Sequence, residues 1–216
     1  MEDILDEFWY NWKTDPFPKD RRMKILEDFG VRGMSSENFR FLINELVKRH
    51  AKTYLEVGTW HGCSLLSAAM FNPDVRCIGI DNFKHHNKTG ENAEILSKNI
   101  KRMDVDNVLF INGDDAKDLV PYLERNGIKI DVYFYDGFHS YESQYNGLTR
   151  VLPYMADNCF IAVDDCDYKQ VKKANNQFLE ENKDFEVVFE ISGNSKFSNF
   201  HESNWWNGYQ IFQRKS

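Results

Sequence analysis

Hydrophobic residues in the first part of the chain recur every three or four positions, which is the spacing of an amphipathic helix. Ile4 and Phe8 share one face of a first predicted helix, and a second apolar face follows it and stops at Gly30. Ser35 or Ser36 is placed to cap a third helix, because a hydroxyl group there accepts a bond from a free backbone N–H group. The chain before position 51 is therefore predicted to be helical.

From Thr53 onward, short hydrophobic runs typical of buried strands alternate with helical stretches. The predicted strands are Thr53–Val57, Val75–Asp81, Asn107–Ile111, Ile130–Tyr135 and Cys159–Val163. The predicted helices between and after them are Ser64–Met70, Asn92–Met103, Ala116–Arg125 and Glu142–Met155. Strands that alternate with helices in this way form a parallel sheet that is covered on both faces.

The last third of the chain departs from this alternation. Asp167–Glu181 is a predicted helix, but the predicted strands Phe185–Ile191 and Gly208–Gln213 have no helix between them. This order indicates an antiparallel hairpin at the edge of the sheet, joined by a long connection. The connection, Ser192–Asn207, is polar and aromatic, and we expect it to cover the functional site. Its candidate pocket residues are His201, Trp205, Trp206 and Asn207.

Together these elements predict the fold class and the domain organisation. The fold class is α/β, with a Rossmann-like, doubly wound, mostly parallel sheet, an antiparallel C-terminal edge strand and N-terminal helices. A chain of 216 residues fits one domain. Within it, residues 1–50 are expected to form a helical segment that packs on the domain, and residues 51–216 to form the sheet with its helices.

Charge and composition narrow the range of partners. The formal net charge is −7, which argues against nucleic acid, since a phosphate-binding surface needs clustered Lys and Arg. The N-terminal sequence has no signal-peptide pattern, and no apolar stretch is long enough for a membrane span. The 4 cysteines lack a CxxC pair, and we expect free thiols in a reducing cytoplasm. Trp9, Tyr10 and Trp12 could form a homodimer contact or pack on the domain.

The turn between the first predicted sheet strand and its helix is the most informative segment. The strand ends at Gly58 and Gly62 opens the helix, which places backbone N–H groups at the carboxyl edge of the sheet, where α/β folds bind ligands. A nicotinamide dinucleotide fingerprint needs a middle glycine in this turn, and this chain has Trp60 there. A ligand without a pyrophosphate therefore fits the turn better.

Acidic residues follow the next three predicted strands. Asp81 ends the second strand 23 residues after Gly58, which is about where an acid holds ribose hydroxyls in such folds. Asp114 and Asp115 follow the third strand, and Asp136 follows the fourth. Each of these acids alone is more often a turn or cap residue. Their recurrence at successive strand ends indicates a binding site.

Asp164 and Asp165 follow the fifth predicted strand, one strand–helix–strand step after Asp136. Adjacent parallel strands would bring these carboxylates to one edge of the sheet, where they would repel one another unless a cation or protonation offset the charge. Oxygen ligands favour Mg²⁺, Ca²⁺ or Mn²⁺. The alternative is that Asp164 and Asp165 cap the next helix and that Asp136 bonds to backbone amides.

These residues resemble those of class I methyltransferases. More narrowly, they are similar to the metal-dependent small-molecule O-methyltransferases typified by catechol O-methyltransferase and the macrocin-type sugar O-methyltransferases. The resemblance runs from about Gly33 to Asp165 and implies S-adenosylmethionine as the cofactor. It places Glu56, Gly58, Trp60 and Ser64 along the methionine part, Asp81 at the ribose, Asp114 and Asp115 at the adenine, and Asp136 among the cofactor contacts. Met34 to Ser36 match a segment that closes over the cofactor in this family.

The same resemblance implies a divalent metal, Mg²⁺ first, on Asp136, Asp164 and Asp165, and a general base at His139. Imidazole suits that role because it takes up a proton near neutral pH. We therefore expect methyl transfer from S-adenosylmethionine to a hydroxyl of a small-molecule acceptor that the metal chelates. The alternatives are a metal-independent methyltransferase that acts on another group and a non-catalytic S-adenosylmethionine-binding protein.

Overall fold

The computed structural model describes residues 1–9, 19–20, 22–193 and 205–215, with only the backbone of Glu2. Tyr10, Trp12, His201 and most of the connection Ser192–Asn207 lie outside the described residues, so the expectations placed on them stay expectations. Within the described ranges, none of the helices is both long enough and apolar enough to cross a bilayer.

Helices and strands occupy most of the described chain. The helices are α1 (Glu2–Phe8), α2 (Lys24–Asp28), α3 (Glu37–His50), α4 (Cys63–Ala69), α5 (Asn92–Met103), α6 (Val120–Asn126), α7 (Tyr141–Arg150) and α8 (Lys169–Glu181). The strands are β1 (Thr53–Val57), β2 (Arg76–Asp81), β3 (Val108–Asn112), β4 (Ile130–Tyr135), β5 (Met155–Val163), β6 (Phe185–Ile191) and β7 (Tyr209–Arg214).

In the described part of the chain, the strands form a seven-stranded sheet in the order β3-β2-β1-β4-β5-β7-β6. The first five strands pair in parallel, whereas β7 runs antiparallel to both β5 and β6. The predicted fold class and the C-terminal hairpin are therefore confirmed. The hairpin folds back so that β7 lies between β5 and β6, and β6 forms the edge.

The central strands β1 and β4 are buried on both faces, which is why their sequences are mostly apolar, whereas the edge strands β3 and β6 are only partly buried. Successive residues point to opposite faces, so Tyr54 belongs to one core cluster and Leu55 to the other. The first cluster joins the sheet to α1, α2, α3 and α4, and the second joins it to α6, α7 and α8. The four cysteines are buried and free, as expected.

The N-terminal helices pack on this core. Ser36 caps α3, since its Oγ accepts a bond from the backbone N of Phe39 over 3.3 Å, as one of the two predicted cap positions required. Trp9 is 2% exposed and packs edge-on against Phe41, with ring centroids 5.2 Å apart. For Trp9, packing within the chain is therefore what the structure shows. The division of the chain at position 50 stays a prediction.

One predicted helix is too long. We expected Glu142–Met155 to be helical, but α7 ends at Arg150, so the last part of that prediction is wrong. Leu152–Tyr154 forms a short 3₁₀ turn that contains Pro153, which cannot continue the hydrogen-bond ladder of a helix. Met155 instead begins β5 and pairs with Ile130.

Candidate active site

A tight turn after β1 forms the floor of the site, and we call residues 58–62 the cradle. Gly58 has φ +93°, and a Cβ atom there would lie 1.9 Å from the backbone oxygen of Asp136. Gly62, at the N-cap of α4, has φ +86°. Only glycine allows both the left-handed backbone and the close approach at position 58. The cradle therefore lies directly against the loop that follows β4.

Glu56 lies beneath the cradle and is fully buried. Its two carboxyl oxygens accept bonds from the hydroxyl groups of Tyr54, over 2.6 Å, and Ser64, over 2.9 Å. Burial raises the pKa of Glu56 to about 7, with a smaller contribution from Asp81, and the two hydroxyl bonds only partly oppose this rise. The group can therefore respond to a cation bound nearby.

Asp81, at the end of β2, lies beside the cradle and bonds to it. Its Oδ2 accepts a bond from the backbone N of Trp60 over 2.8 Å, and its Oδ1 accepts one from Phe83 over 2.6 Å. A carboxylate oxygen has a second acceptor site, so Asp81 can still bind hydroxyl groups of a ligand. The indole of Trp60 stacks on the ring of His61, with ring centroids 3.7 Å apart, which restrains its orientation.

The two acids after β3 have different partners. Oδ1 of Asp114 accepts a bond from the backbone N of Ala116 over 3.0 Å and starts a helical turn. Asp115 forms an ion pair with Arg150, a residue that our sequence argument did not single out. Burial nevertheless raises the pKa of Asp115, and Asp114 adds to the rise. A half-buried ion pair therefore lies at the carboxyl end of β3, and the adenine contact predicted for Asp114 and Asp115 stays a prediction.

The loops after β1, β4 and β5 lie side by side. The backbone N of Asp136 donates to Val57 O over 2.9 Å, and that of Asp164 donates to Tyr135 O over 3.2 Å. These bonds bring together Asp136, Asp164 and Asp165, which we call the acidic centre. Burial raises the pKa of Asp136 well above its ordinary value, and the charges of Asp164 and Asp165 raise it further. The predicted convergence of the three acids is therefore present.

His139 belongs to this group. Its Nε2 lies 2.5 Å from Oδ2 of Asp165, and single ligand atoms of Asp136, His139 and Asp165 all lie within 4.8 Å of one another. Among the described residues, Asp164 is outside this group of three, and its Oδ1 accepts the backbone N–H of Asp165 over 2.6 Å. The geometry thus brings the predicted base and two of the three predicted ligands into one cluster.

The alternative role of Asp164 and Asp165 as helix caps is wrong. Helix α8 begins at Lys169, its N-cap position is Tyr168, and no side chain caps it. Asp165 instead has a left-handed backbone, with φ +57°, which is uncommon for a residue with a side chain. The loop after β5 therefore turns its carboxylates toward the edge of the sheet.

Two further residues at the acidic centre come from the C-terminal strand region. Nδ2 of Asn207 donates to Oδ1 of Asp165 over 2.6 Å. Tyr209 is fully buried, and burial followed by the charges of Asp164 and Asp136 raises its pKa. Neither contact has a local sequence signal, because each depends on the pairing of β7 with β5.

The cradle also contains buried polar atoms that make no hydrogen bond in the described part of the chain. In the described structure, Oγ1 of Thr59 and Nε1 of Trp60 are buried and make no hydrogen bond. Buried polar groups are normally bonded, so unpaired ones beside a glycine turn suit a ligand with several acceptors and donors. A nucleoside with an attached amino acid has this chemistry, and the residues present therefore fit S-adenosylmethionine.

The fold and this edge of the sheet define a class I methyltransferase. The profile of a family described as methyltransferase domain matches residues 55–166, which contain the cradle and the acidic centre, and the chain belongs to that family. Its members take the methyl group from S-adenosylmethionine, so the chain is an S-adenosylmethionine-dependent methyltransferase. No curated protein sequence matches the chain.

Solved structures share the fold over nearly the whole chain. The O-methyltransferase TomG of Streptomyces achromogenes, involved in tomaymycin synthesis and solved with S-adenosylmethionine, is 19% identical, with 90% of this chain and 87% of that chain covered and a TM-score of 0.65. An O-methyltransferase from Bacillus cereus, solved with S-adenosylhomocysteine, is 14% identical, with 89% and 88% covered and a TM-score of 0.65. At these identities the likeness shows the fold.

Proposed function

We propose that the protein transfers a methyl group from S-adenosylmethionine to a hydroxyl of a small molecule, with His139 as the general base. The observation that carries this proposal is the His139–Asp165 pair, 2.5 Å apart, at the same sheet edge as the cradle. An imidazole that is oriented by a carboxylate is a standard device for taking up a proton. The structural relatives named above are O-methyltransferases, which agrees with a hydroxyl acceptor.

The cofactor contacts follow the line of the cradle. Glu56, with Gly58, Trp60 and Ser64, would contact the methionine part, where an ionised Glu56 offsets the charge of the ammonium group. The free acceptor sites of Asp81 suit the ribose hydroxyls. Asp114 and Asp115 would flank the adenine, and Asp136 would face the reacting end of the cofactor.

The reaction needs one bond formed and one broken. The acceptor oxygen attacks the methyl carbon, the carbon–sulfur bond of the sulfonium breaks, and S-adenosylhomocysteine leaves with both electrons of that bond. The hydroxyl proton moves to His139. Because Nε2 of His139 faces Asp165, Nδ1 is the nitrogen left to accept this proton. The protein contributes mainly by holding the oxygen and the methyl group in line.

A divalent cation fits the acidic centre. Ligand atoms of Asp136 and Asp165 lie within 4.8 Å of each other, and Asp164, which precedes Asp165 in the chain, would be the third carboxylate ligand, while His139 would stay free to act as the base. These hard donors suit Mg²⁺ or Mn²⁺. When bound, such an ion would lower the pKa of the acceptor hydroxyl.

A metal-independent reaction is the second candidate, and one contact favours it. Asp165 bonds to His139 as an orienting carboxylate would, and this pair can act on a proton without a metal. Chelator treatment separates the two candidates, because only the metal-assisted reaction loses its rate when divalent ions are removed.

The experiment that tests the proposal follows radioactive methyl groups. The protein is incubated with tritiated S-adenosylmethionine and two probes, a catechol and a vicinal sugar diol, with Mg²⁺ or with chelator. His139→Gln should lower the rate of transfer by roughly 10²–10⁴-fold, the usual worth of a general base. His50→Gln, on α3 and away from the site, is the matched control and should keep the rate. Full activity of His139→Gln would remove His139 from the mechanism.

A further inference from the structure

The carboxylate of Asp165 has its two oxygens divided between two partners. Oδ2 faces Nε2 of His139 at 2.5 Å, and Oδ1 accepts the side-chain amide of Asn207 over 2.6 Å. Asp165 is 5% exposed, so little water competes for these bonds. The amide therefore determines which oxygen is left for the imidazole.

Asn207 is itself held in place at the end of the long connection. Its backbone O accepts the backbone N–H of Asp167 over 2.9 Å, and Oδ2 of Asp167 accepts the backbone N–H of Gly193 over 2.7 Å. Gly193 packs so closely that a Cβ atom there would lie 1.5 Å from the backbone oxygen of Trp206. Asp167, in the loop after β5, thus bonds to both ends of the connection and sets the position of Asn207.

The backbone of Asp165 is held as well. Its φ of +57° is a conformation that a residue with a side chain keeps only where its surroundings fix it. Its backbone N donates to Oδ1 of Asp164 over 2.6 Å, and its backbone O accepts from Tyr168 over 3.0 Å. With the main chain fixed, rotation of the carboxylate is the remaining freedom, and the amide of Asn207 restrains it.

We propose that Asn207 is a positioning residue that fixes the tautomer of His139 through Asp165. A neutral imidazole has one N–H group and one free nitrogen, and the partner of the N–H group selects between the two forms. With Oδ2 of Asp165 held in place, Nε2 carries the proton and Nδ1 stays free. The catalytic meaning of this rests on the proposed function, whereas the contact itself does not.

The test reads the ring nitrogens of His139 directly. The whole protein is labelled with ¹⁵N-histidine and studied by nuclear magnetic resonance at roughly pH 8.5, about two units above the ordinary imidazole pKa. His139→Gln assigns the signal. The wild type should show one tautomer, protonated on Nε2, with a hydrogen-bonded proton. Asn207→Asp keeps the shape, loses the donor and adds a negative charge beside Asp165, and it should show both tautomers and lose that proton.

A matched variant separates this effect from the general effect of the substitution. The side-chain amide of Asn126 is also a hydrogen-bond donor, in this case to the backbone carbonyl of Tyr122 over 2.8 Å at an exposed helix end. Asn126→Asp should therefore leave the His139 signal unchanged. An unchanged signal in folded Asn207→Asp would overturn the proposal. So would a wild-type ring protonated on Nδ1, a result that needs no variant. If the tautomers are as expected but the wild-type protein transfers no methyl group, the result would instead count against the proposed function alone.

Discussion

Glu56 is the residue whose chemistry links the fold to a ligand most closely, through its carboxyl group. It is fully buried under the cradle with two hydroxyl groups bonded to it, and its pKa is raised to about 7. At neutral pH a substantial fraction of this group is therefore protonated. A cationic ligand binds the ionised form better, so binding of such a ligand and loss of the proton are linked.

This linkage predicts how cofactor affinity changes with pH. The affinity for S-adenosylmethionine should rise several-fold between about pH 6 and about pH 7.5, because most of the ionisation of Glu56 takes place over this range. Calorimetry at each pH measures it. In Glu56→Gln the affinity should be lower and should vary much less with pH. A wild-type affinity that is flat over this range would contradict the role given to Glu56.

The contacts of individual residues were only partly predictable. Gly58 and Asp81 could be selected because each stands at the end of a strand in a recognisable turn, whereas Glu56 was selected only through the family resemblance. The pairing of His139 with Asp165 could not, since it depends on the left-handed backbone of Asp165. Asn207 was assigned only to a covering loop, whereas its amide bonds to the acidic centre.

Among the elements, the cradle depends on a contact between two loops. Gly58 has a positive φ and leaves no room for a side chain against the backbone oxygen of Asp136. Gly90 also has a positive φ, +77°, but has open space around it. The two glycines therefore separate the cost of backbone conformation from the cost of a clash.

Alanine at these two positions should have unequal effects. Gly90→Ala should lower the free energy of unfolding by about 1 kcal/mol, the cost of the left-handed backbone alone. Gly58→Ala should cost roughly 1–3 kcal/mol more, because the Cβ forces the loop after β4 to move. Urea unfolding of both variants measures the difference. Equal losses would show that the close approach of the two loops is not part of the folded protein.

Element boundaries were predictable where local and tertiary signals agree. The bounds Thr53–Val57 and Ile130–Tyr135 match the prediction because these strands are mostly apolar and are flanked by turn residues. The end of α7 was missed because the helical periodicity continues past Arg150, while sheet pairing draws Met155 into β5. Pro153 also stops the helix locally, so the local signal and the sheet pairing both oppose a helix at that point.

Across the whole molecule, folding buries several carboxyl groups, and burial favours their neutral, protonated form. The pKa values of Glu56, Asp136 and Asp164 are all raised above their ordinary values, chiefly by burial. The folded state therefore binds protons that the unfolded chain releases. Their contribution to stability is full below the ordinary carboxyl pKa and is lost as the pH rises through the raised values.

The ligand-free protein should accordingly become less stable as the pH rises from about 5 to about 7.5. The free energy of unfolding in urea, measured across this range in chelator, gives the slope. Asp136→Asn removes one of the charges that repel in the acidic centre, and it should flatten the slope and raise stability at the upper end. A free energy of unfolding that rises with pH, or an Asp136→Asn variant with the same pH dependence as the wild type, would show that these acids are not buried together.

The packing of the N-terminal helices bears on the state of assembly. Trp9 is buried against Phe41 and Trp205 within one chain, so it is already covered without a partner. A homodimer stays a prediction that would have to use other surfaces. Size-exclusion chromatography with light scattering determines the mass in solution.

Isothermal calorimetry measures whether the cradle binds S-adenosylmethionine. S-adenosylmethionine and S-adenosylhomocysteine, each titrated with and without Mg²⁺, should bind with micromolar affinity, about −8 kcal/mol, while NAD should not bind. Gly90→Ala should bind as the wild type does. Failure of both sulfur ligands to bind the folded protein, or binding of NAD in their place, would contradict the account.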